Sequence, residues 1–275
     1  MDATTRELIA LALREDIGPG DVTSQLLPAD LEGRAQIVAK SDLVIAGSAA
    51  FIETYRQVDP RVVVRFDRLD GEHVAARTVI GRVLGPARAL LTGERTALNL
   101  LQRLSGVATV TRRAVDLVAG TRAQIVDTRK TTPGLRALEK AAVRAGGGHN
   151  HRFGLFDGIL IKDNHVAALG GVRIAIEAAR REAHHLLRVE CEVTDLEELE
   201  QALAAGADVV LLDNMSSDEM REAVERNKGR ALLEASGNMT LARLPEVAAT
   251  GVDLISMGAI THSAPAADLS LEWER

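Results

Sequence analysis

From about residue 120 onward the chain repeats one device six times. A short apolar run of strand length ends in a polar residue or a glycine, and a helical stretch follows. The runs are AQIVD (123–127), GILIK (158–162), LRVECEV (187–193), ADVVLLD (207–213), RALLEAS (230–236) and VDLISMG (252–258). Strands that alternate with helices pair in parallel, because each helix carries the chain back to start the next strand in the same direction. Runs this apolar are buried on both faces. The helices between them have amphipathic spacing, as in Leu196, Leu199 and Leu203. The pattern predicts an α/β barrel or an open α/β sheet, with fewer strands than the eight of a full barrel.

The first hundred residues read differently. An opening helix places Leu8, Leu11 and Ala12 on one face, and DIGPGDVTS (16–24) breaks it. Short β-like runs follow at 34–40, 43–47, 61–67 and 77–85, with one helical insert near 48–57. A helical pattern then runs from Gly93 to Ala119, with a break expected at Ser105-Gly106.

Composition removes several functions. A formal charge of −6 and only 2% aromatic residues argue against nucleic-acid binding, since there is neither a basic footprint nor stacking surface. Cys191 is the single cysteine, so there is no intramolecular disulfide and no cysteine zinc cluster. The N-terminus lacks a basic n-region, and no apolar stretch is long enough for a membrane span. A cytoplasmic protein is expected.

The strand ends carry the chemistry. They bring Asp127, Lys162, Glu192, Asp213, Ser236-Gly237 and Gly258 to the carboxyl edge, where α/β folds bind ligands. Each of these residues, taken singly, fits a solvated strand end; six together point to a site. The segment 129–165 holds seven basic and three acidic side chains within an acidic chain. Arg136, Lys140 and Arg144 are spaced four apart and are expected on one solvated helix face. Arg129, Lys130, Arg152 and Lys162 are not explained that way and suggest an anionic ligand.

In GGGHNHR (146–152), His149 and His151 follow no metal-binding spacing. His151 and Arg152 read better as donors to an anion. Lys162 could form a Schiff base or serve as a fixed charge for phosphate, and the crowd of arginines favours the second role. Glu192 and Asp213 can do acid/base work, hold Mg²⁺, or bind sugar hydroxyls and stabilise an oxocarbenium centre. In a cationic pocket they are expected as carboxylates. SGN (236–238) and MGA (257–259) fit a phosphate loop.

These segments resemble the quinolinate phosphoribosyltransferase family: REDIGPGDVTS, GERTALNLLQRLSGVAT, DTRKTTPGLRALEKAAVRAGGGHNHRFGLFDGILIKDNH, ECEV and GADVVLLDN. The resemblance covers nearly the whole chain in order. It implies an N-terminal α/β sandwich domain (1–106) followed by an incomplete, six- or seven-stranded α/β barrel (107–264), with a tail (265–275) returning to the first domain. It implies transfer of phosphoribosyl from phosphoribosyl pyrophosphate to the quinolinate ring nitrogen, with loss of CO₂ and with Mg²⁺ as cofactor. Arg95, Arg129, His151 and Arg152 would bind the two carboxylates. Lys130 and Lys162 would face the substrates, Lys162 towards phosphate. Glu192 and Asp213 would contact the ribose hydroxyls and the magnesium shell, with the metal held mainly by phosphoribosyl pyrophosphate. Lys130, Lys162, Glu192 and Asp213 form the implied catalytic set, and Ser236, Gly237 and Gly258 would hold the 5′-phosphate. The resemblance also implies a homodimer in which Arg95 enters the neighbouring subunit's site. The competing readings are a Schiff-base lyase using Lys162, a non-catalytic nucleotide binder, and a molybdenum-transport-associated relative of similar fold.

Overall fold

A computed structural model describes residues 1–274. In chain order the strands are β1 (Glu32–Ala39), β2 (Leu43–Val44), β3 (Val63–Phe66), β4 (His73–Val74), β5 (Val79–Pro86), β6 (Gln124–Val126), β7 (Ile159–Ile161), β8 (Val189–Val193), β9 (Val209–Asp213), β10 (Leu232–Ser236), β11 (Leu254–Ser256) and β12 (Leu269–Trp273). The helices are α1 (Ala3–Ile17), α2 (Ser48–Val58), α3 (Ala87–Leu117), α4 (Arg136–Ala145), α5 (Asp163–Leu169), α6 (Val172–Glu182), α7 (Leu196–Ala204), α8 (Ser217–Asn227), α9 (Leu244–Ala248) and α10 (Ala259–His262).

The chain forms two compact units. The first comprises Met1–Arg112, Thr131–Gly147 and the C-terminal segment from Ser263. Its main sheet has the order β12-β1-β5-β3 and is antiparallel, with Ile37 opposite Leu271 on one side and Gly81 on the other. Ile37, Phe51, Tyr55, Ile80, Leu90 and Leu98 are fully or almost fully buried in its core. The Phe51 and Tyr55 rings sit 5.3 Å apart, and the Tyr55 hydroxyl donates to the Leu90 carbonyl at 3.0 Å, so the one polar atom of that large side chain is satisfied.

Three expectations fail here. The buried stripe of α1 is Thr5, Ile9 and Leu13, while Leu11 is 55% exposed. Helix α3 runs unbroken through Ser105-Gly106. Ser105 is buried, and its hydroxyl accepts the Ala46 N–H at 3.1 Å; at Gly106 a Cβ would fall 2.0 Å from the Pro265 carbonyl oxygen. The glycine is a close-approach site inside a helix, not a helix break. Lys140 is only 2% exposed, so Arg136, Lys140 and Arg144 do not form a solvated face. Next to Lys140, the fully buried Glu139 accepts from Arg103 at 2.8 and 3.0 Å and from Thr132 Oγ1 at 2.7 Å. The segment 131–147 thus belongs to the first unit, and residue 106 falls inside α3.

The second unit comprises Arg113–Lys130 and Gly148–His262. Among the described residues its sheet has six parallel strands, in the order β6-β11-β10-β9-β8-β7. Helices α6 and α7 pack on the β7–β9 side. His149 extends the sheet beyond β6 by a single parallel bridge to Val126. This is the incomplete α/β barrel. Alternation along its strands divides the residues into two sets. Ile125, Cys191, Val193, Val210, Leu212, Leu233, Ala235 and Ile255 are the buried apolar set. The other set lines the interior cavities described next.

Candidate active site

Among the described residues of the second unit, three cavities bear on the site. The largest, about 550 Å³, sits at the carboxyl ends of the strands and is lined by Lys130, Lys162, Glu192, Asp213, Ser236, Gly237 and Gly258, with Thr128, Asn214, Asn238 and His262 among their neighbours. A second cavity, about 150 Å³, shares Thr128, Lys130, Lys162, Ser236 and Ser256 with the first and adds Arg129, His151, Arg152, Leu160, Leu211 and Glu234. The third, the lower cavity of about 390 Å³, lies at the amino ends of the strands, opposite these two upper ones; it includes Gln124, Arg188 and Glu190, and shares His151, Arg152 and Glu234 with the second.

Register explains the gathering. Asp213 pairs with Ser236 across β9 and β10, and Leu211 pairs with Glu192 on one side and Glu234 on the other. In-register neighbours on parallel strands present the same face, so residues 190, 192, 211, 213, 234 and 236 all point inward. The Lys162 ammonium lies 2.8 Å from Glu192 Oε2. Asn214 ties the next loops together: its Nδ2 donates to Asp213 at 2.8 Å, and its Oδ1 accepts from Asn238 at 3.2 Å. Gly237 has φ +90°, and a Cβ there would lie 2.2 Å from Asn214 Oδ1, so only glycine fits this turn.

The small cavity is cationic. Arg129, Lys130, Arg152 and Lys162 line it, against one acid, Glu234. Arg152 Nη1 donates to the Gly158 carbonyl at 3.0 Å, while its Nε is buried without a hydrogen-bond partner. Burial, and then the charge of Arg129, depress the hold of Arg152 on its proton. Two like charges held this close favour a dianion between them.

His151 is fully engaged. Its Nδ1 accepts the Arg152 N–H at 2.7 Å, and its Nε2 lies 2.9 Å from Glu190 Oε2 and 3.8 Å from Glu234 Oε2. The three side chains bring ligand-type atoms within 4.8 Å of one another, the spacing of a cation site. An Nδ1 that accepts a hydrogen bond leaves the ring proton on Nε2, the atom a metal would need. The set is therefore a hydrogen-bonded cluster. Burial first, and Glu190 second, raise Glu234 from the ordinary carboxylate range to about 8.

Of the sequence-derived residues, Lys130, Lys162, Glu192, Asp213, Ser236, Gly237 and Gly258 meet in the large cavity, and Arg129, His151 and Arg152 meet in the small one. Arg95 lies exposed on α3 in the first unit and lines none of these cavities. Asp127 does not face them either: it is fully buried and accepts from Asn150 Nδ2 at 2.7 Å and His151 N at 2.9 Å, fixing the histidine loop. Glu190, Glu234 and Asn214 are not singled out by the sequence, and Asn238 enters only as the last residue of the SGN segment. Glu190 and Glu234 each lie two residues before a foreseen strand-end residue, and period two would have found them.

The fold and cavities define an α/β-barrel protein with a cationic cavity beside a larger one edged by two carboxylates. The family models "Quinolinate phosphoribosyl transferase, N-terminal domain" and "Quinolinate phosphoribosyl transferase, C-terminal domain" match residues 21–105 and 107–272. The chain belongs to this family. It is 48% identical to the probable nicotinate-nucleotide pyrophosphorylase [carboxylating] of Bacillus subtilis, over 94% of this chain and 89% of that one. It is 45% identical to the nicotinate-nucleotide pyrophosphorylase [carboxylating] of Mycobacterium leprae, over 97% and 96%. The solved nicotinate-nucleotide pyrophosphorylase of Francisella tularensis superposes with a TM-score of 0.95 at 42% identity, covering 98% of this chain and 96% of that one.

Proposed function

We propose that the two upper cavities are the active site of a quinolinate phosphoribosyltransferase. The enzyme transfers phosphoribosyl from phosphoribosyl pyrophosphate to the ring nitrogen of quinolinate, and nicotinate mononucleotide, pyrophosphate and CO₂ leave. The observation that carries the site is one cationic cavity of about 150 Å³ opening beside a larger one edged by two carboxylates.

Quinolinate is a dianion, and desolvating it demands fixed cations. Arg129 and Arg152 supply them in the small cavity, and Lys130 and Lys162 stand where the two cavities meet. The ring nitrogen then faces the anomeric carbon of a phosphoribosyl group in the large cavity. Glu192 and Asp213 are placed for the ribose hydroxyls and stabilise positive charge on that carbon. Ser236, Gly237 and Gly258 take the 5′-phosphate. Magnesium would arrive on the pyrophosphate and make it a better leaving group; the hard carboxylate oxygens of Glu192 and Asp213 suit it. Alkylation leaves the ring nitrogen positive, so the adjacent carbon can lose CO₂ and keep the electron pair.

The working enzyme is a cytoplasmic homodimer in which Arg95 completes the neighbouring subunit's carboxylate site. Among the described residues, no helix is long and apolar enough to cross a membrane. The test is incubation with Mg²⁺, phosphoribosyl pyrophosphate and carboxyl-labelled quinolinate. Equal amounts of labelled CO₂ and nicotinate mononucleotide are expected. A folded protein that binds phosphoribosyl pyrophosphate but forms neither product would move the assignment to the molybdenum-associated relative or to a binding protein.

A further inference from the structure

We infer that Glu234 is the acid that protonates the ring carbon after CO₂ leaves, and that the lower cavity returns its proton from water. The inference rests on the transferase reading above.

Loss of CO₂ leaves an electron pair on the carbon beside the alkylated nitrogen. Unless that pair is protonated, CO₂ can return. The donor must touch the quinolinate cavity and carry a proton it can release. The arginines lining that cavity hold their protons too tightly. Lys162 is committed to Glu192 at 2.8 Å and His151 Nε2 to Glu190 at 2.9 Å, and Lys130 lies exposed on the side shared with the large cavity. Glu234 is the one acid among the lining residues of the small cavity, and its side chain is only 2% exposed. Its Oε1 is buried and has no hydrogen-bond partner. A proton on that oxygen is thus available to a ligand. An ionised Glu234 would also repel the substrate dianion, so a neutral acid suits the cavity better.

The surroundings keep it neutral. Glu190 from β8, Asp127 from the end of β6 and His151 from the loop after α4 are the titratable groups that act on it, and Ser256 of β11 hydrogen-bonds to it. Burial first and Glu190 second favour the protonated acid; His151 and then Ser256 oppose it less strongly than these, and Asp127 adds the smallest push towards the acid. Strand β9 presents only Leu211 beside it. Arg129 and Arg152 share its cavity. Glu234 also lines the lower cavity of about 390 Å³ with His151 and Glu190, which gives it a second side from which to recover a proton.

The step balances without a redox partner. The carbon–carboxylate bond breaks, and its electron pair stays on the ring carbon. CO₂ departs, and the pair takes the proton from Glu234. The resulting carboxylate regains a proton from water in the lower cavity, and no metal takes part.

The test compares wild type, Glu234→Gln and Glu190→Gln in single turnovers with Mg²⁺, phosphoribosyl pyrophosphate and carboxyl-labelled quinolinate. Quinolinate binding is measured separately by calorimetry. Glu234→Gln should bind quinolinate and release pyrophosphate within about threefold of wild type, yet release CO₂ about 100-fold more slowly or worse, the usual scale for a lost general acid. A mononucleotide that still carries both carboxylates should accumulate. In wild type the CO₂ step should fail as pH rises through about 8, and Glu190→Gln, by removing a like charge, should move that limb to lower pH. Wild-type CO₂ release by Glu234→Gln would overturn the inference. So would parallel loss of quinolinate binding, pyrophosphate release and CO₂ release, which would mark a structural role. A wild-type protein that forms no product at all would instead overturn the transferase reading.

Discussion

Lys162 Nζ and Glu192 Oε2 lie 2.8 Å apart across neighbouring strands; Lys162 lines both upper cavities and Glu192 the larger one. The lysine side chain is half exposed, so the pair contributes little to stability, about 0–1 kcal/mol. Its effect is on binding, because an incoming pyrophosphate must compete with Glu192 for the ammonium. Glu192→Gln should therefore bind inorganic pyrophosphate roughly two- to fivefold more tightly, in line with an exposed ion pair. The same variant should lose turnover, since the carboxylate proposed to stabilise the anomeric carbon is gone. Calorimetry with pyrophosphate and a steady-state assay read the two effects separately. Weaker pyrophosphate binding would show that Glu192 does not restrain Lys162.

Arg129 and Arg152 face one small cavity, and the charge of Arg129 is felt at Arg152. Replacing either by alanine should weaken quinolinate binding by about 2–5 kcal/mol, the cost of leaving one partner of a buried charge pair alone. Arg→Lys should recover only part of this, because lysine lacks the planar fork. Direct titration with quinolinate decides the matter, and wild-type affinity in either alanine variant would remove the assignment.

The repeating strand–helix units were legible because each run carries its own period; the strand ends yield six of the residues that line the upper cavities, and the DTRK and GGGHNHR segments yield four more. What escaped depends on distant partners. Asp127 reads like its fellow strand-end acids, but Asn150 and His151 fold back on it. Glu190 and Glu234 sit inside apolar runs, and only barrel geometry makes an interior face that can hold acids. Strand β12 pairs with β1 more than 200 residues earlier, and nothing local announces it.

Ser105-Gly106 reads as a helix break by propensity, but tertiary contact overrides it. The Gly106 site therefore predicts a packing defect. Gly106→Ala raises helix propensity, yet its Cβ would meet the Pro265 carbonyl oxygen at 2.0 Å, a backbone atom that cannot rotate away. A net loss of about 1–3 kcal/mol is expected, the scale of overpacking. The denaturation midpoint checks it; an unchanged or raised midpoint would mean that the 263–266 segment yields freely.

Arg95 sits exposed on α3 and lines none of the cavities of its own second unit. If it serves a neighbouring subunit, Arg95→Ala and Lys162→Ala should complement each other. Each variant alone should be inactive, and dimers reassembled from both should regain activity at one site, which holds a native Lys162 and receives a native Arg95. Tagged subunits purified in tandem isolate the mixed species. Verified mixed dimers without activity would end the shared-site reading.

Glu234 also predicts how stability changes with pH. Burial and the neighbouring Glu190 raise it from 4.5 to about 8 in the folded chain. Between those values the folded state holds a proton that the unfolded state has released. Stability therefore falls as pH rises through this window. Below 4.5 both states are protonated and the penalty vanishes; above about 8 both are ionised and it is constant. Each unit of separation corresponds to about 1.4 kcal/mol. Glu234→Gln carries no titrating proton, so its advantage over wild type should be smallest near pH 4.5, grow towards pH 8 and then level off. Urea midpoints at pH 5, 7 and 9, at one protein concentration, measure the difference. A gap between variant and wild type that stays flat with pH would show that Glu234 is ionised in the folded protein throughout.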